Sequence, residues 1–438
     1  MAPLVRSRAR NGPERSIKQI DARGHRDRQD ARVRLTYGIG LTVAMLAGGS
    51  GIEQPQAAAQ SGTVTIYSSL PLSGASRPQT VSIVRGARMA LEERGGAAGP
   101  HAVRYISLND ATSSAGSWTP ERTARNARRA ARDASAIGYI GEFNSGASAV
   151  SMPFLSAAGI AQISPSNTYI GLTRGGPGAA RGEPSKYYVG GLRHYFRITP
   201  NDRVQGGALA TAMRDRGCRR VASVTDGELY GRGVGVWTRR SVTKLGLRII
   251  AVHTIHRRSP AARLGRIVRA RPDCVAYTGI TANGAVRFVS ALARRLPRAR
   301  FFGSDGIAES GFADRKEGGV SRRVARRVLV TVATVAPYAY PPAGREFFDR
   351  YKARFNDPHP DPYSIYGYES MQLMLDAAAA AGPSRPGVIA WLRSVADRPS
   401  VLGSYGFDRF GDTTLRTYGV YGIRSGELTY SGAVEAPQ

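Results

Sequence analysis

Two short stretches place hydroxyl groups where a sheet would present them to a ligand. Ile140–Ser148 reads I-G-E-F-N-S-G-A-S, and Ile163–Thr168 reads I-S-P-S-N-T. Each is an apolar β run that breaks abruptly into small hydroxyl residues. Between them, the apolar and Ala-rich segment 149–159 suits a helix. In an open parallel sheet, ligands bind beyond the carboxyl ends of strands, where loops offer hydroxyls and backbone N–H groups. Serines and threonines without a partnering histidine suit holding a ligand and not transforming it. The same residues would also serve as helix caps, and both roles can coexist.

Other chemistries find little support in the sequence. The six histidines are scattered, and no H-E-x-x-H, Cys–His or metal-ligand spacing occurs. No G-x-S-x-G nucleophile elbow is present. G-R-G-V-G at Gly231–Gly235 lacks the Lys-Ser/Thr ending of a phosphate loop. Paired carboxylates at a strand end, as glycoside hydrolysis needs, are not evident. Asp408 and Asp412 are expected to act in turns and not to hold a cation. The expectation is a protein that is not an enzyme and carries no cofactor or metal.

The elements that must position the hydroxyl loops follow from periodicity. Thr63–Ser68, Val103–Leu108 and Ala136–Ile140 have strand character, and helical spacing marks Val81–Arg94 and Pro120–Asp133. After an irregular Gly-, Pro- and Arg-rich stretch (174–193), a second β/α series begins. Its strands are Arg220–Val224, Leu247–His253, Cys274–Thr278 and Arg300–Gly303. Val328–Val335 is a continuous apolar strand, Gly344–Phe355 and Tyr363–Ala381 are helical, and the tail alternates as a hairpin. Alternating strands and helices, twice over, predict two doubly wound α/β lobes.

The chain has 438 residues, 42% of them hydrophobic, enough for two or three domains. Residues 1–59 are expected to be a basic leader plus signal peptide. Ten Lys/Arg stand in the first 35 positions, then a short apolar run and Ala57-Ala58-Ala59. The run is too short for a membrane span, which needs about 20 residues. Translation is expected to start nearer Val33, and no cysteine stands where a lipid anchor would be attached. The remainder holds 52 basic and 27 acidic residues. The arginines are spread along helices, as at Arg122, Arg125, Arg128, Arg129 and Arg132, without any nucleic-acid-binding module. Solvated helix faces are the expectation, with adhesion to an anionic envelope surface as the alternative. Cys218 and Cys274 each precede a strand. As first and third strands of a 2-1-3 sheet these would be neighbours, leaving either a bridge or two buried thiols.

In order and spacing the motifs resemble those of the exported leucine/isoleucine/valine-type solute-binding proteins, the amino-acid receptors of ABC importers. The likeness covers about 63–430. It is carried by S-L-P-L-S-G, the two hydroxyl loops, F-R-I-T-P-N-D, D-G-E-L-Y-G-R-G, F-F-G-S-D-G and Y-G-F-D-R-F-G-D. The resemblance implies the type I periplasmic binding protein fold, α/β with two doubly wound parallel-sheet lobes joined by three hinge crossovers. Lobe I would comprise 60–198 and 334–402, and lobe II 199–333 and 403–438. It implies an interlobe cleft in which Ser145 holds a ligand carboxylate and Ser166 offers backbone contacts. Thr168 would touch both carboxylate and ammonium, Asp305 would pair with the ammonium, and Tyr230 would form a wall. Two family tyrosines are replaced, one by Ile280 or Thr281 and one near Gln79. The implied partners are a small amino acid-like ligand and an ABC permease, for an exported monomer in the periplasm or at the extracytoplasmic cell surface. The alternatives are a sensor of the same fold, or a receptor for an amide or aromatic acid.

Overall fold

A computed structural model describes residues 62–255 and 264–436. The expected leader and signal peptide lie outside those residues. The first half builds β1 (Val64–Leu70), α1 (Arg77–Glu93), β2 (Ala97–Ala98), β3 (His101–Asn109), and the short pair β4 (Ala111–Thr112) and β5 (Ser117–Trp118). It continues with α2 (Pro120–Arg132), β6 (Ala136–Gly141), α3 (Ser145–Ala157), β7 (Ala161–Ser164) and β8 (Tyr195–Arg197). The second half builds α4 (Asp202–Asp215), β9 (Arg220–Thr225), α5 (Leu229–Lys244), β10 (Arg248–Thr254), α6 (Gly265–Ala270), β11 (Cys274–Thr278), α7 (Ala285–Arg295) and β12 (Arg300–Ser304). Then come the short α8 (Ser310–Ala313) and α9 (Arg322–Ala325), and β13 (Val328–Val332). The chain returns through α10 (Pro342–Phe355), α11 (Ser364–Ala381) and α12 (Arg385–Arg393), and ends in the hairpin β14 (Thr417–Arg424) and β15 (Glu427–Glu435).

Two sheets result. The first has the order β2-β3-β1-β6-β7-β8 and the second β10-β9-β11-β12-β13-β14-β15. Pairing is parallel except for β2, β14 and β15. Burial on both faces explains the continuous apolar runs, such as the wholly buried β1, β6 and β11. Each sheet reverses its strand order once, around β1 and around β9. Leu70 pairs with Asn109 and Ser69 with Gly141, so the loops after β1, β3 and β6 gather at one edge. Thr225 pairs with Thr278 and Tyr277 with Gly303, which gathers the loops after β9, β11 and β12 in the same way.

Local chemistry sets the helix ends. The Thr119 hydroxyl accepts from the Arg122 amide ahead of Pro120 in α2, and Arg129 and Arg132 stand in the last turn, where cations suit the dipole. Asn201 caps α4 by accepting from the Arg203 amide. The glycines of G-R-G-V-G lie inside α5 and permit close approach. A Cβ at Gly233 would meet the Asp202 carboxylate at 2.0 Å, and one at Gly231 would meet the Thr278 carbonyl at 2.6 Å. α11 packs along α1, and α12 packs against β6 and β7, so the return segment covers the first sheet.

The chain crosses between sheets three times, at 198–201, after β13, and between α12 and β14. In the third, Asp412 bridges to Arg197 beside β8, and Phe407 packs on Phe196 with ring centres 5.1 Å apart. Cys218 and Cys274 form a disulfide with Cα atoms 5.8 Å apart, at the start of the neighbouring strands β9 and β11. The stretch 174–193 is irregular but tied down. The buried Glu183 accepts from the hydroxyls of Tyr169 and Tyr187 and from the Ala180 amide.

Candidate functional site

The two strand-order reversals face each other, and a small cavity of about 30 Å³ lies between them. Its lobe I wall is Phe143, Asn144, Ser145, Ser166 and Tyr363. Its lobe II wall is Tyr230, Ile280, Asp305 and Gly306. The first hydroxyl stretch is itself the start of a helix. α3 begins at Ser145 with Asn144 as its cap, and not at 149 as the apolar run suggests. The first amides of a helix have no intrahelical acceptor and carry its positive end. That end of α3 opens into the cavity beside the Ser145 hydroxyl, an arrangement suited to a carboxylate.

The second hydroxyl loop holds the first in place. The Ser166 hydroxyl and the Asn167 amide both donate to the Phe143 carbonyl at 2.7 Å. The Ser164 hydroxyl and Asn167 also donate to the Glu142 carbonyl, at 2.9 and 3.1 Å. Under these loops the Glu142 carboxyl meets Asp110, both fully buried. Burial pushes the Asp110 carboxyl up to about 7, and burial together with the neighbouring Asp110 pushes Glu142 well above the ordinary carboxylate range. Two acids so placed disfavour a second negative charge.

Across the cavity stands Asp305. Its Oδ1 accepts from the Gln205 amide and the Tyr230 hydroxyl, and its Oδ2 accepts from the Tyr363 hydroxyl at 2.8 Å. Tyr230 in turn accepts from the Gly306 amide at 3.1 Å. Burial raises the Asp305 carboxyl above its ordinary value, against these hydrogen bonds, which lower it. Among the described residues no cation lines the cavity, and Asp305 is the only carboxylate that does. Ile280 forms the wall next to it. Its amide donates to Asp226 at 3.0 Å, and Asn283 ties Asp226 and Glu228 together.

Of the residues expected to bind ligand, Ser145, Ser166, Tyr230, Ile280 and Asp305 line the cavity. Thr168, Thr281 and Gln79 do not. The Thr168 hydroxyl donates to Asp202 at 2.8 Å and is wholly buried, because Pro200-Asn201-Asp202 brings a carboxylate to the start of α4 directly above it. Thr281 turns to the Gly306 carbonyl at 3.3 Å. Gln79 reaches across the lobes to the Ala308 carbonyl at 2.7 Å, beside the bond from Ser76 to Glu309. Sequence reasoning missed Phe143 and Tyr363, whose rings meet edge-on at 6.1 Å. Phe143 was signalled by its place inside the first motif. Tyr363 had no local signal. These two rings supply aromatic surface where the replaced tyrosines had implied a loss.

Asp408 acts in the turn as expected, accepting from the Phe410 and Asp412 amides at 2.8 and 3.1 Å, and the pair also makes ion pairs the sequence did not show. Asp412 accepts from the fully buried Arg197 at 2.8 Å, from Arg174 at 2.7 Å and from Asn201 at 2.9 Å, and Asp408 pairs with Arg174. The remaining Arg197 donors go to the Tyr169 carbonyl at 2.9 Å and the Thr173 hydroxyl at 2.6 Å. Arg197 holds the Asp412 carboxyl below its ordinary value despite burial. This ion pair ties the first crossing to the third.

Residues 63–427 match the periplasmic binding protein family. The chain is 23% identical over 397 residues to Leu/Ile/Val-binding protein homolog 1 of Brucella melitensis, covering 89% of this chain and 96% of that relative. The fold matches leucine-binding protein LivK of Thermotoga maritima with a TM-score of 0.70 at 21% identity, over 85% of this chain and 99% of that one. It also matches a solute-binding protein of an ABC transporter from R. palustris in complex with benzoate, with a TM-score of 0.67 at 18% identity, over 86% and 97%. Two facing switch-point loops, three crossings and this match over most of the length lead to one conclusion: the chain belongs to the periplasmic binding protein family, that of the Leu/Ile/Val-binding proteins.

Proposed function

We propose that the protein captures a small amino acid between its lobes and delivers it to an ABC importer in the membrane, acting as a receptor and not as an enzyme. The observation that carries this reading is the charge pattern of the cavity. A buried carboxylate, Asp305, has hydrogen-bond donors but no cation, and it faces the positive end of α3. A zwitterion complements both ends. Its carboxylate meets the α3 amides and Ser145, and its ammonium supplies the countercharge that Asp305 lacks. Phe143, Tyr363 and Ile280 leave a small apolar space for the side chain.

The ligand acts as the closing contact. It touches both lobes only when they are together, so it favours the closed arrangement by its differential affinity for that state. A second reading, an aromatic acid, draws on the rings of Phe143, Tyr230 and Tyr363 and on the benzoate complex of one structural relative. Benzoate has no cation and would leave Asp305 unpaired, so the amino acid is preferred. Calorimetry against alanine, leucine, isoleucine, valine and benzoate decides between them. The expected result is binding of at least one amino acid, abolished in Asp305→Asn. Binding of benzoate alone, unaffected by Asp305→Asn, would overturn the amino-acid reading.

A further inference from the structure

Lobe II carries a second recess, away from the cleft and about 760 Å³ in volume. Five cations line it, namely Arg315, Lys316, Arg322, Arg326 and Arg424. All five are exposed. They come from three separate segments, around α8, around α9 and at the β14–β15 turn, so no single helix periodicity accounts for the cluster. Among the described residues none of the five takes part in an ion pair. The single carboxylate in the lining, Asp314, is occupied by the Lys316 amide at 2.9 Å. The floor is apolar, with Val320 and Ile423 buried beneath the cations.

A recess lined by one sign of charge over a low-dielectric floor focuses its field outward. The cations sit on long, exposed side chains that no hydrogen bond pins among the described residues, so they do not form a preorganised pocket for one phosphate. They suit a surface that presents many anions at once. The recess adjoins a larger one of about 1000 Å³ that spans both lobes, with Ala313 and Gly426 lining both. We propose that this groove rests the protein on an anionic phospholipid surface, with the phosphate headgroups taken between the five cations. Such contact would hold the lobe boundary close to the membrane. The inference does not depend on what the interlobe cleft binds.

Each cation brought to an anionic surface strengthens partition roughly fivefold at low salt, and the gain fades with ionic strength. The test is flotation of the mature protein with vesicles of phosphatidylcholine containing phosphatidylglycerol, against vesicles of phosphatidylcholine alone. Two charge-matched variants are compared, each replacing five cations by Gln. One alters Arg315, Lys316, Arg322, Arg326 and Arg424. The other alters Arg122, Arg125, Arg128, Arg129 and Arg132 on the exposed face of α2. The expected result is salt-sensitive binding to the anionic vesicles only, reduced at least tenfold in the groove variant and less than threefold in the α2 variant. Equal loss in both variants would assign the binding to net charge and overturn the proposal. So would no binding by the unaltered protein, or its complete release by millimolar inorganic phosphate at constant ionic strength, which would mark a free-phosphate site.

Discussion

The cleft and the crossing each bury a carboxylate, and they treat it in opposite ways. Asp412 has Arg197 and Arg174 built against it, and its carboxyl is held below the ordinary range. Asp305 has three neutral donors and, among the described residues, no cation, and burial holds its carboxyl above that range. A buried charge with its own counterion is a fastening. A buried carboxylate held by neutral donors alone stays costly to ionise.

The largest test of this contrast removes the fastening. Arg197→Ala leaves Asp412 buried without its main partner and is expected to cost about 3–5 kcal/mol in denaturant unfolding. Arg197→Met combined with Asp412→Leu should recover much of that loss, because no orphaned charge remains. If the single variant unfolds like the parent, the crossing is not the fastening described. The second test removes the charge of Asp305. Asp305→Asn should weaken amino-acid binding by about 2–4 kcal/mol, measured by calorimetry, while ligand-free stability holds or rises. A loss of stability in place of affinity would make Asp305 structural, like Asp412.

Acidity separates the same two classes. Asp110 and Asp202 have folded values raised to about 7 by burial. The folded protein therefore keeps protons that the unfolded chain has released. Their contribution to stability is fully present below the unfolded value near 4 and is lost as pH rises toward about 7, at about 1.4 kcal/mol per pH unit for each proton. Asp412 has the opposite sign, with stability present above the unfolded value and lost as pH falls below it. Denaturation midpoints from pH 4 to 7 should therefore decline, and a rise across that range would contradict the carboxyl pairing under the loops. Ligand affinity should move the other way, falling on acidification as Asp305 takes up a proton. The smallest effect belongs to Tyr363→Phe. It removes one interlobe hydrogen bond to Asp305 and is expected to shift ligand affinity by about 1 kcal/mol, with little change in unfolding.

Much of the architecture was legible because alternation of strand and helix is a local signal. β11 spans Cys274–Thr278 as its apolar run suggests, and α2 starts at the Pro120 that follows its Thr119 cap. Contacts between distant segments were not legible. Arg197 and Asp412 lie 215 residues apart, although an arginine inside the strand Y-F-R was a sign that a buried partner had to exist. Tyr363 reaches the cleft only because α11 folds back onto α1. Thr168 stood in the right motif, but its hydroxyl is claimed by an aspartate that arrives with the next helix. Local pattern marks which atoms are available, and tertiary packing decides which are still free.

The bridge between Cys218 and Cys274 has a consequence for when the protein becomes robust. It closes a loop of 56 residues within lobe II. Loop closure of that length restricts the unfolded chain by about 4 kcal/mol. A reducing cytosol would withhold that gain, and an oxidising compartment would grant it. Lobe II, which carries Tyr230, Ile280 and Asp305, is thus less stable with the bridge reduced than with it closed. The covalent link ties the firmness of that half of the cavity to the redox state of its surroundings.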